Sequence, residues 1–182
     1  MPRCFIGIKP DPYVLEKINP VLDRLSNQKG VKPVALPNIH LTLKFLGEIN
    51  EKACIKLFGA LRQISSPKPS IKVVGLGCFP HISKPKIIWA GIDDGSEEIT
   101  ALQKSIDEIC SCIGFERDIR FHPHMTLARV KEESNSKNIK SLVEEYHGFS
   151  FGSFTAYEFI FFQSKLTPQG PIYSQASVFP LL

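Results

Sequence analysis

The 182-residue chain has one tryptophan, two methionines and five cysteines, Cys4, Cys54, Cys78, Cys110 and Cys112. Their number is odd, no two are spaced as C-x-x-C, and most sit inside apolar patterns. That argues against a disulfide framework or a zinc ribbon and predicts buried, reduced thiols. Long apolar runs are also missing. The first alternation, Arg3 to Lys9, stops at Asp11-Pro12, so neither a signal-peptide core nor a membrane span is expected and the chain reads as cytoplasmic. No block of five like charges occurs. With 22 basic and 18 acidic residues the net charge is +4, enough to favour an anionic ligand but without the clustered Lys and Arg that grip a long duplex. Neither G-x-x-x-x-G-K-[ST] nor G-x-G-x-x-G occurs, which removes the usual signatures of nucleoside-triphosphate hydrolysis and dinucleotide binding.

What is present is an ordinary globular composition, 43% hydrophobic and 22% charged, on a length that suits one domain or two small lobes sharing a core. Arg3 to Lys9 reads as a strand. Asp11-Pro12 then caps a helix striped by Leu15, Ile18, Leu22 and Leu25, with Gly30 beyond its end. A strand over 39–46 is followed by a helix capped by Asn50, with Cys54, Leu57, Phe58, Leu61 and Ile64 inward. Residues 71–79 and 86–92 read as an antiparallel pair separated by a Pro80–Pro85 connection. A third helix carries Ile99, Leu102, Ile106, Ile109 and Ile113. A strand over 124–130, a polar link over 131–137 and a fourth helix with Ile139, Leu142, Val143 and Tyr146 follow. The last strands are expected at about 148–164 and 172–179. Several neighbours are joined by turns too short for a parallel crossover, which predicts an α+β fold with mainly antiparallel sheets.

The informative feature is a repeat. His40-Leu41-Thr42-Leu43 and His124-Met125-Thr126-Leu127 lie 84 positions apart, each within a predicted strand. Five His and five Thr scattered at random would give about 0.14 H-x-T pairs, so two need a cause. In a strand, residues two apart share a face, so each motif offers one imidazole and one hydroxyl while Leu41, Leu43, Met125 and Leu127 point to the core. Two such strands side by side would set two imidazoles against two hydroxyls. That set suits metal-independent hydrolysis of a phosphodiester: one His takes a proton from water, the other protonates the departing oxygen, and the Thr hydroxyls donate to the non-bridging oxygens.

These motifs resemble the signature of the 2H phosphoesterase superfamily, and their surroundings resemble its RNA 2′,3′-cyclic phosphodiesterase branch, the 2′-5′ RNA ligases. The resemblance rests on 3–8, on 40–48 (HLTLKFLGE), on Gly77-Cys78-Phe79-Pro80, on 121–129 (FHPHMTLAR), and on 164–173 with Gly170-Pro171. It implies a single domain over 1–182 made of two intertwined lobes, bilobed and pseudo-twofold, with the H-x-T strands facing a central cleft. It implies opening of a terminal 2′,3′-cyclic phosphate to a 2′-phosphate, without cofactor or metal, and in some members 2′-5′ joining of RNA ends. His40 would then protonate O3′, His124 would activate water, and Thr42 and Thr126 would stabilise charge. The partner implied is RNA with 2′,3′-cyclic phosphate ends, tRNA fragments included, with no membrane and no obligate protein partner.

Arg129 matches the Arg of the family's second motif and suits a phosphate, since guanidinium donates two parallel bonds to phosphoryl oxygens. Its parity is opposite to that of His124, so it reaches the cleft only if the strand ends, twists or bulges before it. Lys44 shares the parity of His40 and is expected either at an RNA phosphate or solvated at a strand edge. Phe45 and Phe121 are expected in the core, with base stacking as the alternative. His122 and His124, with His81 or His40, could be imagined as metal ligands, but no carboxylate is built into either motif, H-x-x-x-H and H-x-x-E-H are missing, and His81 and His147 fall in loop or helix-end positions. The competing class is a non-catalytic module of the same fold that binds nucleotides or RNA ends through the hydroxyls and Arg129.

Overall fold

The protein was analysed as a computed structural model that describes residues 3–131, 136–168 and 170–182. Its strands are β1 (Arg3–Ile8), β2 (Val31–Pro33), β3 (Leu41–Glu48), β4 (Ser70–His81), β5 (Lys84–Ile92), β6 (His124–Val130), β7 (Ser150–Thr155), β8 (Glu158–Thr167) and β9 (Gly170–Pro180). The helices are α1 (Pro12–Ser26), α2 (Glu51–Leu61), α3 (Ser96–Ile113) and α4 (Ser136–Glu145). The caps follow the sequence: Asp11 Oδ1 accepts from the Tyr13 amide at 2.8 Å, and Asn50 Oδ1 from that of Ala53 at 2.9 Å. No helix of the described residues is long and apolar enough to cross a membrane.

All strand pairs are antiparallel, in the order β7-β4-β5-β6-β3-β1-β8-β9, with β2 paired to β6. The two H-x-T strands are therefore central neighbours, with three strands outside each. Helices α1 and α3 exchange sides: α1 follows β1 yet packs on β7 and β2, and α3 follows β5 yet packs on β3 and α2. This exchange puts one continuous core behind the sheet, where Ile6, Leu41, Leu43, Met125, Leu127 and the helix stripes bury. A smaller cluster of Phe5, Ile160 and Phe162, with Tyr173 against it, is separate from that core.

Connectivity makes the sheet curl. Strands β7 and β8 stand six places apart in the order, about 29 Å in a flat sheet. Only Ala156 and Tyr157 join them, so the ends must lie within about 11 Å. The same closure appears where the chain after β9 meets the chain before β4: the Lys68 amide donates to Leu182 O at 3.0 Å and that of Leu182 to Ser66 O at 2.9 Å.

Three expectations need correction. The apolar stretch expected as one strand over 148–164 is two strands on opposite halves of the sheet, because nothing in Phe151 to Phe162 marks the break except the shift at Ala156. The Pro80–Pro85 connection is mostly strand, with Pro80 opposite Pro85 and the turn confined to Ile82 and Ser83. Helix α4 starts at Ser136, inside the expected link; positions 132–135 of that link lie outside the described residues.

Candidate active site

The two motifs meet at one residue pair, Leu41 opposite Met125, the second residue of each H-x-T-L. A local twofold through this pair sets position 40 across from 126 and 42 across from 124, so the imidazoles lie on one diagonal and the hydroxyls on the other. Beyond it β2 takes over that edge of β6.

Each imidazole is oriented by a carbonyl two residues upstream. His40 Nδ1 lies 2.7 Å from Asn38 O, and His124 Nδ1 lies 2.6 Å from His122 O. A carbonyl only accepts, so both Nδ1 atoms carry the proton and both neutral rings keep Nε2 as the free base. The Thr42 hydroxyl then donates to His40 Nε2, 2.9 Å away. The turn at 36–38 that supplies the first carbonyl is itself held, since Asn38 Nδ2 donates to Pro171 O at 2.8 Å.

Burial pushes both imidazoles below their ordinary pKa, against the opposing effect of the carbonyl contacts. The charge of His124 adds to the lowering at His40, and that of His122 to the lowering at His124. Both rings are wrapped by aromatics. Phe5 stacks on His40 at 4.5 Å between centroids, and Tyr173 meets it edge-on at 5.5 Å. Phe79 meets His124 edge-on at 5.0 Å, and Trp89 lies against His122 at 5.0 Å. Gly7 admits this packing on the first side, because a Cβ there would meet Leu41 O at 2.7 Å and His40 Cδ2 at 3.3 Å. Sequence reasoning gave none of these rings a place at the site: Phe5, Phe79 and Tyr173 lie in segments that carry the family resemblance but without a role there, and Trp89 lies outside them.

Arg129 is brought onto the motif face by a bulge. The pairing runs Ile88 with Ala128 but Trp89 with Thr126, which leaves Leu127 as the extra residue. Leu127 and Ala128 are consequently both fully buried, alternation flips, and Arg129 emerges exposed on the side of His124 and Thr126. Its charge is felt by the Tyr173 hydroxyl, where burial raises the pKa and Arg129 opposes the rise.

The first motif carries the same bulge at the same offset. Ile6 pairs with Lys44 but Gly7 with Thr42, leaving Leu43 extra. Lys44 therefore turns to the back of the sheet, 3% exposed, against the expectation of a phosphate ligand or solvated edge residue. Its Nζ lies 2.6 Å from Asp107 Oδ1, 2.6 Å from Glu116 O and 3.1 Å from Asp118 Oδ1. Phe45 takes the place that corresponds to Arg129 and is 69% exposed, against the expectation of core packing. Phe121 does pack on the core, and His81 hydrogen bonds Ser83 within its hairpin. Among the described residues, no group of three His, Cys, Asp or Glu side chains is arranged as a metal site.

A family model for LigT-like phosphoesterases matches twice, over residues 8–89 and 91–173, so each match spans one H-x-T-L motif. The curated RNA 2′,3′-cyclic phosphodiesterase of Archaeoglobus fulgidus is 36% identical over 177 residues, covering 97% of this chain and 99% of that protein. That of Methanocaldococcus jannaschii is 34% identical, with 94% and 96% covered. Among solved structures, a phosphoesterase superposes with a TM-score of 0.84 at 23% identity, covering 100% of this chain and 99% of that one. Apo LigT of E. coli gives 0.79 at 23% identity, with 99% and 98% covered. The duplicated match, the relatives aligned end to end and the shared fold agree: this chain belongs to the LigT-like phosphoesterase family.

Proposed function

We propose that the chain is an RNA 2′,3′-cyclic phosphodiesterase that opens a terminal cyclic phosphate to a 2′-phosphomonoester by metal-independent acid–base catalysis. The observation that carries it is the pair of imidazoles across a local twofold, each fixed by a carbonyl in the tautomer that offers Nε2. The curated relatives, aligned over nearly the whole chain, bear the name of that activity.

In this reading His124 Nε2 takes a proton from water as the water oxygen bonds to phosphorus. The P–O3′ bond breaks, and protonated His40 gives its Nε2 proton to O3′, leaving a 3′-hydroxyl and a 2′-phosphate. Thr42 and Thr126 donate to the non-bridging oxygens, and Arg129 holds the phosphoryl group. Residues 1–182 act as one unit of two intertwined lobes, a reading supported by one sheet and one core spanning both motifs. RNA ends, tRNA fragments among them, are the substrates, with no obligate protein partner. All five cysteines are thiols, which suits a cytoplasmic setting.

The test incubates the purified protein, in excess chelator, with a short oligoribonucleotide ending in a 2′,3′-cyclic phosphate. A 2′-phosphate product is expected from the wild type and none from His40→Ala or His124→Ala, each folded by circular dichroism. Retention of wild-type rates in either variant, or loss of activity with chelator, overturns the mechanism.

A further inference from the structure

The two carbonyls that orient the imidazoles stand at matching positions, Asn38 and His122, but the chain holds them differently. After His122 comes Pro123, a buried residue whose ring is bonded to the nitrogen of the same peptide plane, and Phe121 on the other side packs on the core. In the first motif the residue corresponding to Pro123 is Ile39. Its amide, in one plane with Asn38 O, makes a long bond of 3.2 Å to Leu36 O. The one-turn helix at 36–38 that carries this plane has no buried residue and no side-chain cap. Such turns have poorer hydrogen-bond geometry than an α-helix, so their peptide planes tilt easily. Leu36 and the buried Ile39 anchor the chain on either side by apolar packing, which has no directional hold on a carbonyl.

The directional bond comes from the Asn38 side chain, whose Nδ2 donates to Pro171 O at 2.8 Å. It runs from one half of the duplicated chain to the other, into the start of β9. Two residues along that strand, Tyr173 meets the His40 ring edge-on, so one stretch of β9 touches both the ring and the residue that aims it. The aim matters to the reaction. An acid that delivers its Nε2 proton to O3′ must keep the proton on Nδ1, and a ring whose Nδ1–H faces a carbonyl releases only from Nε2. With the carbonyl turned aside, either nitrogen can carry the single proton of the neutral ring. The 2.9 Å bond between Thr42 and Nε2 then reverses its direction in the wrong tautomer, and the hydroxyl no longer donates.

Resting on the acid role given to His40 above, we propose that Asn38 is a positioning residue: its carboxamide, anchored on Pro171, aims the Asn38 carbonyl at Nδ1 and so holds His40 in the one tautomer that can act. The second motif has no such need, because the buried Pro123 ring does the same for His122 O. The β8–β9 hairpin thereby sets the state of a ring in the first half of the chain.

The experiment compares wild type with Asn38→Ala, with Asn38→Asp, which keeps the shape but has no N–H to give, and with Asn50→Ala, which removes the side-chain cap of α2. Nitrogen NMR of the imidazoles at about pH 8, where both rings are neutral because they titrate below 6.5, reads the tautomer directly. Wild type and Asn50→Ala should show the Nδ1–H form at His40 and at His124, and both Asn38 variants a mixture at His40 alone. On the oligoribonucleotide with a cyclic phosphate end, kcat of the Asn38 variants should fall by about tenfold to a hundredfold, the loss expected of a misplaced catalytic group. KM should hardly change, because the carboxamide binds Pro171 and not the substrate. Asn50→Ala should lose stability to urea but neither the tautomer nor kcat. Pure Nδ1–H at His40 in both Asn38 variants, an unchanged kcat, or a loss confined to KM overturns the proposal. If wild type fails to open the substrate, the activity reading fails by itself, and the NMR comparison still decides whether Asn38 sets the tautomer.

Discussion

Replacing Lys44 by Met keeps most of the side-chain volume and removes one charge from the back of the first motif strand. The Lys44 side chain is 2% exposed and that of Asp107 11%, so this ion pair is nearly dry, whereas Asp118 at 37% can rehydrate. Removing one partner of a buried pair costs about 3–5 kcal/mol, because the other charge stays uncompensated. Asp107 keeps a hydrogen bond from the Asp118 amide at 3.1 Å, which places the expected loss near the lower end, about 3 kcal/mol. For a chain of this size that is a drop in Tm of about 6–12 °C.

The pH dependence has a definite sign. At Lys44 burial alone would lower the pKa, but the hydrogen bonds and charges of Asp107 and Asp118 outweigh it and the net shift is upward. At Asp107 burial raises the pKa, but the Lys44 and Asp118 amide contacts with the Lys44 and Arg117 charges lower it overall. The lysine contribution is full below its ordinary pKa and lost as pH rises through the elevated one. The aspartate contribution is full above its ordinary pKa and lost as pH falls through the depressed one. Between those limits the deficit of Lys44→Met in urea denaturation should be constant. Lys44→Met/Asp107→Leu, which removes both charges, should recover most of it. A single-variant loss under about 1 kcal/mol, or a double variant no better than the single, would refute this account of the network.

Three further perturbations read other parts of the molecule. Thr42→Ala and Thr126→Ala should each slow cyclic-phosphate opening by about tenfold to a thousandfold with little change in KM; a change confined to KM would mean the hydroxyls bind substrate without stabilising the transition state. In the proposed acid–base mechanism, burial lowers the pKa of both imidazoles, so the alkaline limb of kcat/KM, which reports the higher value of the pair, should have its midpoint below pH 6.5, and a midpoint above about 7 would contradict a histidine pair titrating in this buried setting. Gly77→Ala must displace the Trp89 ring and should cost about 1–3 kcal/mol as well as activity, whereas Gly59→Ala, facing open space on α2, should stabilise by about 0.5–1 kcal/mol; equal effects on chemical denaturation would refute the packing argument.

Local signals carried much of the architecture. The limits of β6 and the caps at Asp11 and Asn50 follow from alternation and from side chains able to accept a backbone N–H, and these act within a few residues. The break at Ala156 was invisible because both halves of 148–164 bury the same kinds of residue; which partner strand each half finds is a long-range matter. The two bulges were likewise hidden. Strict alternation sends Lys44 to the cleft and Phe45 and Arg129 behind the sheet, and a single extra residue in each strand reverses all three. Motif residues up to the threonine could be placed from spacing alone, while everything after Leu43 and Leu127 depended on β1 and β5, the strands against which the extra residue is defined. Tyr173 reaches His40 only through the long β8–β9 hairpin, a contact that no periodicity encodes.

The matched bulges raise a question of orientation. A frame with twofold symmetry would accept a bent phosphodiester in either of two opposite poses, and in the proposed mechanism only one puts the sugar oxygen beside the acid. Both strands kink at the same offset, but they project different groups from the kink: a guanidinium from Arg129 and a phenyl ring from Phe45. A reversed substrate would set its charged phosphorus end towards the ring and its nucleoside towards the cation, losing the fit at both ends. Duplication thus supplies a self-matching cradle, and under the proposed mechanism its one non-matching pair of residues would select the pose that can react.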